Sequence, residues 1–259
     1  MLRTVCATRY VTPLREGGSL PAIVEADDLG MYVLKFRGAG QGPLALVAEL
    51  IAGEIGRALG LQVPELVFVE VDPALGRNEE DSEIRDLLKA SVGMNLGLDY
   101  LPGSATFDAA AGEPVDADLA SATVWFDALV TNVDRTARNP NLLWWHRTLY
   151  LIDHGAALYF HHNWQDLERM AASRFPAIRD HVLLPWAARI EEADRRLRPL
   201  LNELLLREIV GQVPESWLAP DPGISPSERR AGYLDFLTRR LDAAPQFVEE
   251  AASARAKLV

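Results

Sequence analysis

The stretch that most constrains this chain is residues 131–155, where three side chains suited to holding a metal ion are spaced around a hairpin pattern. The three are Asp134, Asn139 and Asp153. Between Asn139 and Asp153 lie two short apolar runs, rich in aromatic and branched residues and separated by a polar turn, which is the pattern of a β-hairpin. Such a hairpin would bring Asn139 and Asp153 to the same end of its two strands.

A helix is predicted immediately before this stretch, over residues 117–130. Its apolar side chains recur at helical spacing, at Leu119, Ala122, Phe126 and Leu129. Asp134 would therefore enter from the loop that joins the helix to the hairpin.

The three residue types suit phosphoryl transfer, which needs a metal ion on the phosphate oxygens and a group that orients the attacking hydroxyl. Mg²⁺ takes hard oxygen ligands and usually only one or two carboxylates. Taken singly, Asp134 and Asn139 could cap turns and Asp153 could end a strand. Together and in this order, the three residues favour a metal-dependent phosphate site.

Two motifs in this stretch carry a family resemblance. Residues 132–135 read Asn-Val-Asp-Arg where common protein kinases read His-Arg-Asp, and residues 153–155 read Asp-His-Gly where they read Asp-Phe-Gly. The chain thereby resembles the HipA-like kinases, relatives of the phosphatidylinositol-kinase-type atypical kinases, and the resemblance extends over most of its length. It implies that Asp134 is the catalytic-loop aspartate and that Asn139 and Asp153 bind the metal ion.

Lys35 is a charged residue in the otherwise apolar strand pattern of residues 31–36, where a charge usually needs a partner. The next segment has helical spacing and contains Glu49, and it also resembles the HipA-like kinases. A strand lysine paired with a helix glutamate positions the nucleotide phosphates in kinases. Glu54 lies about 140° round the helix from Glu49, so we predict that Glu49 alone pairs with Lys35.

Two further segments are predicted to contact ATP. Gly17, Gly18 and Ser19 form a turn whose backbone N–H groups could approach phosphate oxygens, although an ordinary hairpin has the same residues. Gly93, Met94 and Asn95 stand where the two lobes of a kinase would join, and the resemblance implies that backbone groups there contact the adenine.

Composition excludes several other classes of protein. The formal net charge of −11 over 259 residues disfavours nucleic acid or an anionic membrane as the main partner. Cys6 is the only cysteine, so neither an intramolecular disulfide nor a thiolate metal cluster is expected. No apolar run approaches the roughly 18 residues of a membrane span, and the N-terminal apolar stretch is too short for a signal peptide. We therefore expect a cytoplasmic protein.

The predicted fold is α+β and two-lobed, like a protein kinase. Residues 1–93 would form a β-sheet lobe with one helix, and residues 94–259 a mostly helical lobe. In the first lobe, strands are predicted over residues 65–71 and 87–94, with an acidic loop at residues 78–83 between them. Helices are predicted after the Asp-His-Gly motif, at Trp164–Ser173, Ile178–Leu184, Trp186–Glu208 and Arg229–Leu241.

The function expected from these residues and from the resemblance is an ATP- and Mg²⁺-dependent kinase. The resemblance implies a Ser or Thr hydroxyl of a protein substrate as the acceptor. Two alternatives stay open: the same site could serve a small-molecule or lipid kinase or a nucleotidyltransferase, or the chain could be a non-catalytic nucleotide-binding module. An antitoxin-like regulator is possible for such a kinase, but no residue pattern points to one.

Overall fold

The N-terminal strands close into a small barrel in the computed structural model of the chain, which describes residues 1–14, 20–77, 79–164, 166–219 and 223–258. The barrel strands are β1 (Thr4–Pro13), β2 (Ala22–Ala26), β3 (Met31–Lys35), β4 (Leu66–Val71) and β5 (Gly93–Asp99). Their order round the barrel is β1-β2-β3-β5-β4. Neighbouring strands are antiparallel except β1 and β4, which pair in parallel.

Two helices accompany the barrel. Helix α1 (Pro43–Ala58) joins β3 to β4 and carries Glu49, as its helical spacing predicted. Helix α2 (Ser82–Ala90) contradicts the strand predicted over residues 87–94 and part of the predicted acidic loop. The acidic residues start this helix, because the Asp81 side chain accepts a hydrogen bond of 2.9 Å from the backbone N–H of Glu83.

The rest of the chain is a three-stranded sheet followed by helices. The sheet contains β6 (Ala105–Thr106), β7 (Leu142–Trp145) and β8 (Thr148–Leu151), and β7 and β8 form the predicted hairpin. The helices are α3 (Ala117–Leu129), α4 (Leu167–Ala171), α5 (Ile190–Leu197), α6 (Glu203–Gly211), α7 (Pro226–Asp242) and α8 (Ala244–Ala256). The single helix predicted over Trp186–Glu208 is wrong, because a 3-10 turn that contains Pro199 separates α5 from α6.

The mixed α+β fold with an N-terminal strand part and a helical C-terminal part is thus confirmed. Strand β5 starts at Gly93 and belongs to the barrel, so the barrel extends to Asp99, beyond the predicted boundary at residue 93. The division into residues 1–93 and 94–259 stays a prediction. None of the helices in the described ranges is long and apolar enough to cross a membrane.

Two hydrophobic cores stabilise these parts, and α1 belongs to the larger one. The smaller core fills the barrel and includes Leu34 and Val69. The larger core is continuous from α1 to the C-terminal helices. At Gly56 of α1, an added Cβ atom would lie 3.5 Å from the ring of Phe126 in α3. Helix α1 is therefore packed directly against the C-terminal part.

A buried tryptophan also joins the barrel to the C-terminal part. Trp217 is 0% exposed, and its ring meets that of Phe68 in β4 edge-on at 5.8 Å. Its indole N–H donates a hydrogen bond of 3.0 Å to the backbone carbonyl of Met94 in β5. A tryptophan is usually buried with its N–H bonded, and this one fastens β4 and β5 to the loop after α6.

The loop between α3 and β7, residues 130–141, is held by a buried ion pair. Arg135 is 1% exposed, and its Nε donates to the Asp127 carboxylate of α3 at 2.6 Å. The same guanidinium donates to the backbone carbonyls of Asn141 and Ile152, where β7 begins and β8 has ended. One side chain therefore fixes the loop relative to both the helix and the open end of the hairpin.

Two more side chains satisfy the Asp127 carboxylate. Asn132 donates to it at 2.9 Å, and His181 Nε2 lies 2.9 Å from it. His181 Nδ1 accepts a hydrogen bond from the Leu183 backbone, which places the imidazole proton on Nε2. Burial alone would raise the pKa of Asp127, but the charge of Arg135 and the hydrogen bond from His181 lower it far below its ordinary value.

We expect replacement of Asp127 by alanine to reduce the free energy of unfolding by about 3–5 kcal/mol, because Arg135 would remain buried without its carboxylate. The matched control is Asp118→Ala in the same helix. Asp118 pairs with Arg189 at the surface at 3.0 Å, so its loss should matter by at most about 1 kcal/mol. Urea unfolding followed by circular dichroism measures both variants. Equal effects would contradict a special role for the buried pair.

Candidate active site

An open cleft of about 740 Å³ separates the barrel from the β7–β8 hairpin. Its apolar walls include Val33 and Leu98 from the barrel and Leu143 and Ile152 from the hairpin side. The polar side chains that line it include Lys35, Asn139, Asn141 and Asp153. The cleft can therefore hold a molecule that has both a flat apolar group and a strongly charged group.

Lys35, the last residue of β3, lies between two carboxylates. Its ammonium nitrogen is 2.5 Å from Oδ1 of Asp153 and 3.4 Å from Oε2 of Glu49. Burial by itself lowers the pKa of Lys35, but the charges of Glu49 and Asp153 outweigh it and raise the pKa above its ordinary value. The lysine is therefore a fixed positive charge at the cleft.

Glu49 is 1% exposed and is held from both parts of the molecule. The barrel supplies Lys35, and the C-terminal part supplies His154, whose backbone N–H donates to Oε2 at 2.8 Å and whose Nδ1 lies 3.3 Å from Oε1. Burial would raise the pKa of Glu49, but the Lys35 charge and the His154 hydrogen bonds lower it to about 2. Glu49 is thus a carboxylate at neutral pH. Glu54 of the same helix instead pairs with Arg57 at 3.3 Å.

Asp134 and Asn139 meet in the α3–β7 loop. Asn139 donates a hydrogen bond of 2.7 Å from Nδ2 to Oδ2 of Asp134. The Asp134 backbone N–H donates to the Asn132 side chain at 3.1 Å, which connects it to the Asp127 network. Because the amide nitrogen of Asn139 faces Asp134, its Oδ1 remains available as a ligand.

Asp153 follows β8 in a left-handed backbone conformation, with φ of 53°. Aspartate tolerates this conformation better than most residues. The turn aims the half-exposed carboxylate at Lys35 and the cleft, while His154 faces inward to Glu49. The structure therefore brings together five of the predicted site residues: Lys35, Glu49, Asp134, Asn139 and Asp153.

The other predicted nucleotide contacts are placed differently. Gly17, Gly18 and Ser19 lie outside the described residues. Gly93, Met94 and Asn95 are not among the described residues that line the cleft.

The hydrogen bonds of Asn95 explain why it does not line the cleft. The buried Asn95 side chain donates to the Ser91 carbonyl at 2.7 Å and accepts from the Arg37 backbone at 2.8 Å. The opposite end of β5 and the residues after it, Leu98 to Leu101, line the cleft instead. Strand pairing, rather than local sequence, decides which end of β5 faces the cleft, and contact of Gly93, Met94 and Asn95 with a nucleotide stays a prediction.

Two residues at the site were not predicted. Asn141 is buried and touches Asp134, and its signal was the repeated asparagine on both sides of Pro140. His154 stands where common kinases have phenylalanine, and it bonds to Glu49 at a distance of 105 residues along the chain. No local pattern marks that contact.

The oxygen groups at the site fit a hard divalent cation. Within the described ranges, no cluster of three or more His, Cys, Asp or Glu side chains could hold a metal ion. The Asp153 carboxylate and the amide oxygen of Asn139 are instead a partial set of hard ligands. Mg²⁺ is commonly bound in this way, with phosphate and water oxygens completing its coordination.

Two solved structures are similar to this chain. The crystal structure of the Helicobacter pylori proinflammatory kinase CtkA matches with a TM-score of 0.57 and 13% identity, over 97% of each chain, and confirms the kinase-like fold. The crystal structure of the Golgi casein kinase with Mn/ADP bound matches with a TM-score of 0.49 and 11% identity, over 96% of this chain and 73% of that one. No curated protein sequence matches.

The sequence model of one family settles the classification. The HipA-like kinase model matches residues 8–244, which is most of the chain. This protein therefore belongs to the HipA-like kinase family.

Proposed function

We propose that this kinase transfers the γ-phosphate of ATP to a Ser or Thr hydroxyl of a protein, in a reaction that requires Mg²⁺. The observation that carries the proposal is the meeting of Lys35, Asp153 and the Asn139–Asp134 pair beside one cleft. A cation for phosphate, ligands for a metal ion and a carboxylate for the acceptor are the groups that phosphoryl transfer needs.

The apolar part of the cleft suits the base of the nucleotide. Val33 and Leu98 on one side and Leu143 and Ile152 on the other would enclose a flat ring. Residues 99–101, where the chain leaves the barrel, line the same space and would lie near the edge of the base. The phosphates would then extend toward Lys35.

Lys35 would bind phosphate oxygens through its fixed positive charge. Glu49 keeps the ammonium group at the cleft, since its own carboxylate is buried and ionised. His154 holds Glu49 from the opposite side. The pair would therefore orient the phosphates without contacting the acceptor.

Asn139 and Asp153 would hold the metal ion. Bound there, Mg²⁺ would neutralise charge on the phosphate oxygens. Asn139 can contribute its Oδ1 while its Nδ2 stays on Asp134, so the metal ligand and the acceptor-orienting carboxylate remain linked.

Asp134 would orient the acceptor hydroxyl and accept its proton. It adjoins the cleft through Asn139, and its neighbour Val133 is 40% exposed, as an open approach to the acceptor requires. Arg138, in the same loop, is also exposed. A hydroxyl carried on the surface of a large molecule could reach the carboxylate from that side, as a protein acceptor requires.

We expect Glu49→Gln to raise the KM for ATP and to lower kcat/KM by about 10-fold or more, because Lys35 would lose a charged partner. The matched control is Glu54→Gln, the same change in the same helix. Glu54 pairs with Arg57 rather than Lys35, so its steady-state kinetics should equal those of the wild type. Similar losses in both variants would contradict the assignment of Glu49.

Asp134→Ala should bind Mg²⁺-ATP with nearly wild-type affinity and lose about 10²- to 10⁴-fold in turnover, the usual range for a general base. Lys35→Ala should weaken nucleotide binding as well, since the lysine contacts phosphate before and during the reaction. Calorimetry gives the affinities, and labelling of host-lysate proteins from radiolabelled ATP gives the turnover.

Mass spectrometry of the labelled protein then identifies the transferred group and the acceptor residue. A nucleotidyl adduct would be much heavier than a phosphate and would contradict phosphoryl transfer. Unchanged labelling by Asp134→Ala would contradict the role of the α3–β7 loop.

Asp153→Asn should abolish most of the Mg²⁺-dependent stabilisation by ATP and leave the melting temperature of the ligand-free protein nearly unchanged. In the wild type, a ligand at a hundredfold excess over its Kd stabilises the folded state by about 2.7 kcal/mol. Asparagine also tolerates the left-handed backbone at this position, and Lys35 keeps Glu49 as a partner. A large loss of stability without ligand would indicate that Asp153 is structural.

A further inference from the structure

Asn141 is the last residue of the α3–β7 loop, and its side chain reaches the turn that carries Asp153. It is 9% exposed and precedes β7, and its Nδ2 lies 3.4 Å from Oδ2 of Asp134 and 3.4 Å from the backbone carbonyl oxygen of Asp153. It also lines the cleft. A single side-chain amide therefore spans the distance between the α3–β7 loop and the Asp-His-Gly turn.

The chemistry of the neighbours fixes which way this amide faces. A carboxylate oxygen and a carbonyl oxygen can only accept hydrogen bonds, whereas a primary amide nitrogen carries two hydrogens. The NH₂ group of Asn141 must therefore face both oxygens, with one hydrogen for each. If the side-chain oxygen of Asn141 stood in this position instead, it would face two other hydrogen-bond acceptors.

The backbone of Asn141 has a separate role. Its carbonyl oxygen accepts hydrogen bonds from the Arg135 guanidinium and from the Ile152 backbone at 3.0 Å. Its φ is 48°, a left-handed conformation that asparagine and glycine adopt more readily than other residues. Substitutions that suit this conformation change the side chain and keep the bond to Arg135.

We infer that Asn141 is a positioning residue for phosphoryl transfer, which holds the Asp134 carboxylate in register with the Asp153 turn. The inference rests on the proposed function. Asn139 also donates to Asp134, but Asn139 is exposed, and it bonds within the same loop. Asn141 alone among these amides connects Asp134 to the backbone that carries Asp153.

A positioning role predicts a particular split of the kinetic parameters. The Asp134 carboxylate would lose the bond that connects it to the Asp153 turn, and a displacement of about 1 Å can reduce a rate roughly 10²-fold. The hydrogen bonds of the Asn141 side chain go to Asp134 and Asp153, and neither residue is assigned to the nucleotide base. Its loss should therefore lower kcat about 10- to 100-fold and change the KM for ATP by less than about twofold.

Two variants distinguish the effect of the Asn141 hydrogen-bond donor from the effect of its side-chain volume. Asn141→Gly keeps the left-handed backbone and removes the amide. Asn141→Asp keeps the size and shape, but an ionised carboxylate cannot donate and repels Asp134. Both should lose turnover, and the aspartate should not restore it. Calorimetric Kd values for Mg²⁺-ATP and melting temperatures are measured on the same preparations, and both should stay close to the wild-type values.

The matched control is Asn202→Asp, which adds the same charge far along the chain. Asn202 caps α6, where its side chain accepts from the Leu205 backbone at 3.0 Å, and aspartate caps helices equally well. Its kinetics should equal those of the wild type.

Three outcomes overturn the inference, and they differ from failure of the proposed function. Full turnover in Asn141→Asp would mean that the side chain only fills space. A weaker Mg²⁺-ATP affinity with unchanged kcat would make Asn141 a ligand instead. A lowered melting temperature with proportional loss of binding would make it structural. A wild-type protein that labels no acceptor contradicts the proposed function itself, and the inference with it.

Discussion

The geometry of the site depends on one buried guanidinium. Arg135 joins α3, through Asp127, to the start of β7 and the residue after β8, so the helix and the open end of the hairpin share one fixed point. Burying a charge is unfavourable unless its hydrogen bonds are satisfied, and here a carboxylate and two carbonyl groups satisfy them. Asp134 stands one residue before this arginine, and Asp153 one residue after Ile152. The two acidic residues are therefore held by the same side chain.

A second charged group connects the barrel to this arrangement. Lys35 is shared between Glu49 and Asp153, and Glu49 is also bonded by the backbone and ring of His154. The histidine takes the place of the phenylalanine of common kinases and adds polar contacts where that residue has only an apolar ring. The conformation of the Asp-His-Gly turn is thereby linked to α1 by hydrogen bonds as well as by packing.

The parts of the site that could be predicted from the sequence are those that lie close together along the chain. Asp134, Asn139 and Asp153 could be recognised because a short hairpin pattern follows the first two and precedes the third. Lys35 could be recognised because it interrupts an apolar strand pattern. His154 and His181 could not be recognised, since their partners, Glu49 and Asp127, lie 105 and 54 residues away along the chain. The start of α2 could not be recognised because its acidic residues are also typical of an exposed loop. Which end of β5 faces the cleft depends on pairing with β3 and β4, which local propensity does not encode.

The packing of α1 holds the glutamate-bearing helix in place. In protein kinases the position of the glutamate-bearing helix controls whether the lysine–glutamate pair is formed. Here Gly56 lets the helix lie against Phe126, and Trp217 fastens the neighbouring strands to the loop after α6. Opening by the helix would break a continuous hydrophobic core. The ion pair between Glu49 and Lys35 is therefore held in place by the hydrophobic core of the C-terminal part as well as by its own charges.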